Sequence, residues 1–367
     1  MKHVAQFALM ITLFVQLACN PYAATKTLKT AAASWQKLPL PAPATAIDSF
    51  DIKPNGDMFV TDRTTGVWKT TNNGQAWQQI NTGLASLLGW TIQVNPHTGD
   101  LIANLMGNPS HFYVSHDEAT WTQIPEPAGF DLTSTGSFDG GLMPPAGGGL
   151  MLLGGRGCNG CTEMYSSNDG SSTSLSVFSP TQGETESNGV NGSVYGFGGE
   201  VAGFYTSTNS GANFTQVWNC GASVGPACGN SNDTNEIYSI TTDGGGNWVI
   251  STMTGVFKSS GPASNPTGWT HLYTSSRRSR TVFRDSLGNY YFGQAQSTNN
   301  PTIECSTDGG NTWQECDTGI GTGLEAHKFV ESNGNLYALI ENSTTNQGFI
   351  YVRSQGGGAS GRASIMP

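Results

Sequence analysis

The stretch Ser306-Thr307-Asp308-Gly309-Gly310-Asn311-Thr312-Trp313 is the most informative feature of this 367-residue chain. Its aspartate can accept hydrogen bonds from backbone N–H groups of its own turn, and its glycines can take up positive φ. The ring of Trp313 can then pack over the hairpin that the turn creates. The stretch therefore predicts a tight connection between two antiparallel strands.

Degraded copies of this loop recur along the chain. They are Thr70 to Trp77 with Asn72 for the aspartate, Ser115 to Trp121 around Asp117 and one residue short, Ser166 to Gly170 with Asn168 but no aromatic, Ser207 to Phe214 with Asn209, and a lengthened copy from Ser259 to Trp269. One degenerate match would mean little. Six at near-regular intervals predict a repeat protein.

Seven short strands begin with an aromatic residue, or once with a leucine, and most of them follow one of these loops. Their first residues are Trp35, Trp77, Trp121, Leu175, Phe214, Trp269 and Trp313. Where consecutive copies are clear, the intervals of roughly 40 to 55 residues are typical of β-propeller blades, which have four strands each. The stretch 326–354 supplies three strands and lacks an outer one, whereas the strand at Trp35 lacks a blade. Pairing the two removes the exposed edges of an open array.

We therefore predict an all-β fold, a seven-bladed β-propeller with four-stranded antiparallel blades. Its ring would be closed by the N-terminal strand pairing in the last blade. A single domain is predicted over residues 25–354, followed by a Gly-rich flexible tail at 355–367. Length alone would suggest two domains, but a repeat architecture overrides that expectation.

Residues 1–24 are predicted to be a secretory signal peptide. Lys2 and His3 precede an apolar core, and Tyr22-Ala23-Ala24 offers a small-residue cleavage site. The apolar run is too short for a transmembrane span. Leu17-Ala18-Cys19 also resembles a lipoprotein signal in which Cys19 would carry the lipid, so secreted, periplasmic and cell-surface locations all stay open.

Composition excludes one class of partner and several kinds of site. Only 11% of the residues are charged and the net charge is −10, whereas nucleic-acid binding requires a basic surface. The chain has no metal-binding cluster and no dinucleotide fingerprint, and its Gly-rich segment 154–160 lacks the Lys-Ser/Thr ending of a phosphate loop. We therefore expect no metal and no cofactor.

Six cysteines other than Cys19 occur as close pairs and predict three disulfides. The pairs are Cys158/Cys161, Cys220/Cys228 and Cys305/Cys316. The last pair brackets the best loop, where the adjoining strands should lie side by side. The Cys158-Asn159-Gly160-Cys161 segment could instead be half of a zinc site or a redox pair, but no second such motif accompanies it.

The chain resembles the Asp-box (BNR-repeat) β-propeller family over residues 34–354. That family includes sialidases, xyloglucan-cleaving glycosidases, sortilin-type receptors and a photosystem assembly factor, so the resemblance implies a fold more firmly than a function. It also implies that the boxes lie at the blade periphery and are structural. The matching residues are Asn72, Trp77, Asp117, Trp121, Asn168, Asn209, Phe214, Asp308 and Trp313.

Ligands of propellers usually meet the face built by loops that enter each innermost strand and leave the second strand. Projecting the repeat onto the sequence nominates Asp48, Asp62, Glu325 and Glu341 as catalytic carboxylates. It nominates Arg63, Trp90, His111, Arg156, Glu236, Arg277, Arg278, Arg280 and His327 as substrate-binding residues, with Glu200 on the same face. Loops are also where any charge tends to lie, so each residue taken singly has an alternative interpretation as solvated surface.

A face lined by carboxylates, arginines and an aromatic suits a carbohydrate, in particular an acidic one. A carbohydrate-directed protein is therefore predicted, either a glycosidase or a non-catalytic lectin or protein-binding scaffold. The predicted partner is a carbohydrate or an extracellular protein, bound by a monomer. The resemblance does not extend to a true sialidase, because the early Phe-Arg-Ile-Pro motif is missing. The xyloglucan enzymes pair two propellers, whereas this chain predicts one.

Overall fold

The computed structural model describes residues 34–355 except 45, 96–97, 108–110, 127–150, 159–160, 168–170, 172–173, 179–182, 188–194, 200–202, 209–214, 219–236, 253, 276–278 and 296–301. Within 151–203, and at positions 218 and 279, it describes strand backbone without side chains, apart from Ser167 and Ser171. All regular elements of the described residues are β-strands. No helix among them is long and apolar enough to cross a membrane.

These strands form seven antiparallel sheets, numbered here in chain order. Sheet 1 contains β2 (Ile47–Ile52), β3 (Met58–Asp62), β4 (Gly66–Thr70) and β5 (Gln78–Gln79). Sheet 2 contains β6 (Leu88–Val94), β7 (Leu101–Met106), β8 (His111–Ser115) and β9 (Thr122–Gln123). Sheet 3 contains β10 (Met151–Cys158), β11 (Cys161–Ser167) and β12 (Ser174–Phe178).

The remaining sheets repeat the order of sheets 1 and 2. Sheet 4 contains β13 (Gly183–Ser187), β14 (Tyr195–Gly199), β15 (Gly203–Ser207) and β16 (Thr215–Trp218). Sheet 5 contains β17 (Ile237–Thr242), β18 (Trp248–Thr252), β19 (Gly255–Ser260) and β20 (Gly268–Thr274). Sheet 6 contains β21 (Ser279–Arg284), β22 (Tyr290–Gln294), β23 (Ile303–Ser306) and β24 (Gln314–Glu315).

Sheet 7 joins the two ends of the described chain. It contains β25 (Glu325–Ser332), β26 (Asn335–Asn342) and β27 (Gln347–Ser354), with β1 (Gln36–Lys37) paired outside β27. Gln36 lies opposite Val352 and Lys37 opposite Tyr351. The unmatched Trp35 segment predicts this pairing of an N-terminal strand with the last strand.

The first strands of sheets 4, 5, 6, 7, 1 and 2 lie against one another in that order. Contacts join β2 with β6, β13 with β17, β17 with β21 and β21 with β25, and β25 also contacts β2. The apolar core accordingly lies between sheets. For example, Phe59 and Val67 of sheet 1 pack with Ile92 and Leu105 of sheet 2 in one fully buried cluster.

In the loops that resemble Asp boxes, polar side chains hold their own turns. Asp308 Oδ1 accepts the backbone N–H of Thr312 at 2.9 Å, and Asn72 Oδ1 accepts that of Ala76 at 2.8 Å. Asp117 likewise accepts two backbone N–H groups of its loop, at 2.8 and 2.9 Å. Hydrogen bonds from Thr312 lower the pKa of Asp308 to about 2. These described side chains are therefore committed to turn geometry.

Four tryptophans use their indole N–H to hold the preceding sheet. Trp77 donates to the carbonyl of Pro39 at 3.0 Å, and Trp313 donates to that of Leu272 at 3.0 Å. Trp121 donates to the Ile80 carbonyl, and Trp35 to the Cys316 carbonyl at 2.8 Å. Each acceptor lies in or directly after the outermost strand of the sheet before. We call this contact the tryptophan clamp.

A second repeat, missed in the sequence, supports two of these clamps. Asn81-Thr82-Gly83-Leu84 and Asp317-Thr318-Gly319-Ile320 follow the outermost strands of sheets 1 and 6. The threonine carbonyls accept the backbone N–H groups of Trp121 and Trp35, both at 2.8 Å. Gly83 and Gly319 have φ of +93° and +97°, and a Cβ at either would collide with the tryptophan carbonyl. These two Thr-Gly segments could therefore have been recognised in the sequence as a second repeat.

The structure does not form the predicted disulfide between Cys305 and Cys316. Both residues are buried free thiols in one apolar cluster with Trp35. The register places Cys305 opposite Gln314, so Cys316 is a diagonal neighbour rather than a direct one. The thiols touch, and a hydrogen bond from Cys316 lowers the pKa of Cys305.

The other predicted disulfides and three of the predicted Asp-box residues lie wholly or partly outside the described residues. The Cα atoms of Cys158 and Cys161 are direct partners across the β10–β11 hairpin, but their side chains are not described. Residues Cys220, Cys228, Asn168, Asn209 and Phe214 lie outside the described residues. Disulfides at the two pairs, and box roles for the last three, stay predictions.

Replacing Trp121 by phenylalanine tests the clamp. The indole is 4% exposed, and the change removes the N–H donor to the Ile80 carbonyl. We expect the free energy of unfolding in urea to fall by about 2–3 kcal/mol. Trp77→Phe is the matched control, because its ring is only half-buried, and it should cost roughly 1 kcal/mol. Equal losses in the two variants would contradict a role for burial of the clamp.

Candidate functional site

The first strands of five sheets share a one-residue register slip near their start. In sheet 1, Ile47 pairs with Asp62 and Ser49 with Thr61, which leaves Asp48 unpaired between them. Equivalent slips occur in sheets 2, 5, 6 and 7. The residues left out of register are Asp48, Trp90, Tyr238, Arg280 and His327. Bulges of this kind re-aim side chains and are common beside active sites.

Arg63 joins two of these positions. It follows β3, and its Nε lies 2.7 and 2.9 Å from the two Asp48 oxygens, with Nη2 2.6 Å from Oδ1. The guanidinium also lies over the Trp90 ring, 5.7 Å from its centroid. Its Nη2 is 3.9 Å from Oε1 of Glu341. One arginine therefore links sheets 7, 1 and 2.

Glu325 and Glu341 are a like-charged pair placed directly opposite each other on β25 and β26. Like charges at such positions destabilise a sheet. The imidazole of His327 lies between the two carboxyl groups, with Nε2 3.1 Å from Glu325 Oε2 and 3.3 Å from Glu341 Oε2. Arg280 Nε adds a 2.8 Å contact to the same oxygen of Glu325.

These six residues form a continuous network that we call the charge cluster: Asp48, Arg63, Arg280, Glu325, His327 and Glu341. It crosses sheets 6, 7 and 1 and touches Trp90 of sheet 2. The carboxylate side chains are 5% (Glu325), 8% (Asp48) and 14% (Glu341) exposed. Three carboxylates thus converge with two arginines and one histidine, and Glu341 is the most accessible acid.

Burial raises the pKa of Asp48 to about 6. The hydrogen bond and charge of Arg63 oppose this shift, whereas the negative charge of Glu341 adds to it. The hydrogen bond to Asp48 in turn raises the pKa of Arg63. Asp48 is therefore a carboxyl group that is half protonated near pH 6, next to the carboxyl group of Glu341.

Asp62 lies outside the charge cluster. It is fully buried, and its carboxylate accepts backbone N–H groups from Ala46, Thr64 and Thr65 together with both threonine hydroxyls. Burial acts to raise the pKa of Asp62, but these donors lower it overall. Asp62 therefore shapes the turn that carries Arg63, and we leave it out of the proposed catalytic group.

The other nominated residues divide into two groups. His111 Nδ1 contacts Glu126 at 2.6 Å and Gln123 at 3.1 Å within sheet 2, apart from the charge cluster. The other group lies outside the described part of the chain: the side chain of Arg156, and the whole of Glu200, Glu236, Arg277 and Arg278. Among the described residues no group of three His, Cys, Asp or Glu side chains could hold a metal ion.

The raised pKa of Asp48 predicts a specific pH dependence of stability. The folded protein binds this proton more tightly than the unfolded chain, whose pKa is 3.8. The free energy of unfolding should therefore fall as pH rises from about 4 to about 6, by about 2–3 kcal/mol from this group. Urea unfolding of wild type and Asp48→Asn isolates the effect as a difference. Parallel curves for the two proteins would contradict the shift.

No protein-family model matches the sequence, and neither does any curated protein. Solved structures do match. Virginiamycin B lyase from Staphylococcus aureus, solved with quinupristin, is 10% identical with a TM-score of 0.64, over 87% of this chain and 99% of that one. YCF48 bound to D1 peptide is 14% identical with a TM-score of 0.61, over 88% and 99%.

An ancestral GH74 enzyme is 16% identical, with a TM-score of 0.59, over 87% of this chain and 48% of that enzyme. These structural neighbours are β-propellers, and they include a lyase, a peptide-bound protein and a glycoside hydrolase. At such identities a likeness shows the fold alone. The chain is therefore an all-β protein of propeller-like architecture, built from antiparallel sheets.

Proposed function

We propose that the chain is an exported glycoside hydrolase whose seven sheets are the blades of one closed propeller. The observation that carries the proposal is the convergence of Asp48, Glu325 and Glu341 at one edge of neighbouring sheets. Hydrolysis of a glycosidic bond needs two carboxyl groups in different protonation states. Environments that separate the pKa values of two neighbouring acids provide that difference.

Asp48 and Glu341 are the pair that fits these two roles. Asp48, with a pKa raised to about 6 by burial, is the proton donor to the departing sugar oxygen. Glu341 is the nucleophile that attacks the anomeric carbon. Arg280 contacts Glu325, Glu325 contacts His327, and His327 and Arg63 contact Glu341 and hold its side chain in place.

The spacing of this pair favours a retaining mechanism. Oδ1 of Asp48 and Oε1 of Glu341 lie 2.6 and 3.9 Å from the same nitrogen, Nη2 of Arg63. The two oxygens are therefore within about 6.5 Å of each other, below the range of most inverting enzymes and near that of retaining ones. Glu341 would form a covalent glycosyl intermediate, which water then hydrolyses as Asp48 recovers its proton.

The charges of the cluster favour a neutral polysaccharide over the acidic one expected from sequence. Arg63 lies against Asp48 and Glu341, and Arg280 against Glu325, so each arginine already has an acidic partner. A carboxylate on the substrate would have to compete with these contacts and would meet three acidic groups. Hydroxyl groups can bind the same network without that repulsion.

Substitution of the two acids tests the proposal. Release of reducing sugar from neutral and acidic polysaccharides by residues 25–367 should fall about 10²–10⁴-fold in Glu341→Gln and in Asp48→Asn. Glu315→Gln is the matched control, because Glu315 is exposed on β24, and it should keep full activity. Thermal melting confirms that each variant is folded. Full activity in both site variants would exclude this pair.

The stereochemistry of the product tests the retaining mechanism separately. The first sugar released should carry the same anomeric configuration as the bond that was cleaved, because two displacements occur at one carbon. Proton NMR during the first minutes of hydrolysis, before mutarotation, reads this directly. An inverted product would show that water attacks without a glycosyl–Glu341 intermediate.

A peptide-binding scaffold is the second candidate, favoured by one observation. Leu87 and Leu88 are 42% and 45% exposed, and only Gly89 separates them from Trp90 in the chain. Exposed apolar side chains beside an aromatic are typical of protein-binding surfaces. If the folded protein releases no sugar from any polysaccharide in the panel, this second function becomes the leading one.

A further inference from the structure

The bulged residues lie on five first strands that follow one another without interruption. Contacts between neighbouring strands give the order β6, β2, β25, β21 and β17. The corresponding bulged residues are Trp90, Asp48, His327, Arg280 and Tyr238. Three charged or titratable side chains thus stand in the middle, and an aromatic residue stands at each end.

The register makes these positions equivalent. In every case the residue before the bulge and the residue after it pair with consecutive residues of the second strand, as Ile237 does with Thr252 and Ser239 with Ser251. The hydroxyl of the residue after the bulge repeats as well. Ser49 donates to the Ile92 carbonyl at 3.3 Å, and Ser239 donates to the Val282 carbonyl at 3.4 Å. Tyr238 therefore occupies the same place in sheet 5 that Asp48 occupies in sheet 1.

Aromatic rings at these two places match the chemistry of a sugar chain. Trp90 and Tyr238 are both partly exposed, and each combines a flat apolar ring with a polar group. The C–H face of a pyranose packs on such a ring while its hydroxyls reach neighbouring polar groups. In the order of contacts, β2, β25 and β21 lie between the strands that carry the two rings, so the rings stand on either side of the charge cluster.

We propose that Trp90 and Tyr238 are two sugar-binding positions on either side of the charge cluster, occupied together by one linear neutral saccharide. This inference rests on the proposed function and deepens it. A chain held at both ends places an internal glycosidic bond over Asp48 and Glu341. The enzyme would therefore cleave within polysaccharide chains rather than remove single sugars from their ends.

Binding, measured without turnover, tests the two positions. Isothermal titration of the Glu341→Gln protein would use cellohexaose, xylohexaose, mannohexaose and maltohexaose, with the disaccharide of each. At least one hexasaccharide should bind more than tenfold tighter than its disaccharide. Adding Trp90→Ala or Tyr238→Ala should weaken the hexasaccharide roughly 5- to 10-fold. Tyr238→Phe keeps the ring and should retain most of the affinity.

Two results would overturn the inference. One is that no hexasaccharide binds, and the other is that Tyr238→Ala and Trp90→Ala bind hexasaccharide as tightly as the parent protein. Products from wild type separate this inference from the proposed function. If wild type releases only single sugars, or if Tyr238→Ala leaves the product lengths unchanged, the chain is still a glycosidase but the two aromatic positions are excluded. Aromatic-dependent binding without any hydrolysis retains the sugar site but rejects the catalytic assignment.

Discussion

The tryptophan clamp is the interaction on which the rest of the structure depends. Each sheet is too small to be stable alone, and its two apolar faces must be covered by neighbouring sheets. Apolar packing between sheets supplies the free energy, but it is not directional. The indole N–H fixes which carbonyl of the preceding sheet is met, and thereby sets the relative position of two sheets. The bulged residues can converge because that relation recurs.

Much of the fold was predictable because the clamp requires a recognisable sequence. A short polar loop that ends in a tryptophan is visible as letters, and so is its spacing. The unmatched strand at Trp35 indicated pairing near the C-terminus, and β1 beside β27 agrees with it. The Thr-Gly repeat was missed because Asn/Asp-Thr-Gly occurs at only two places in the sequence, at 81–83 and 317–319, too few to show a period. The Cys305–Cys316 bridge was expected from proximity in sequence, but the two residues are diagonal neighbours whose thiols touch without a bond between them.

The candidate site was partly predictable for a different reason. Charges are rare in this chain, so charged residues near the starts of first strands stood out. Which acids meet depends on register, and register cannot be read from composition. Asp62 and Asp48 looked alike in sequence, yet the carboxylate of Asp62 accepts hydrogen bonds from the backbone around it and so fixes a turn. Tyr238 carried no charge, and only the shared bulge revealed its equivalence to Asp48.

Pairing β1 with β27 also has a consequence for how the chain folds. Gln36 lies opposite Val352, so β1 has no partner strand until nearly the whole described chain has been synthesised. Closing so long a loop costs entropy that the earlier sheets do not face, and contacts this distant in sequence slow folding. The last strand to pair is among the first to be made.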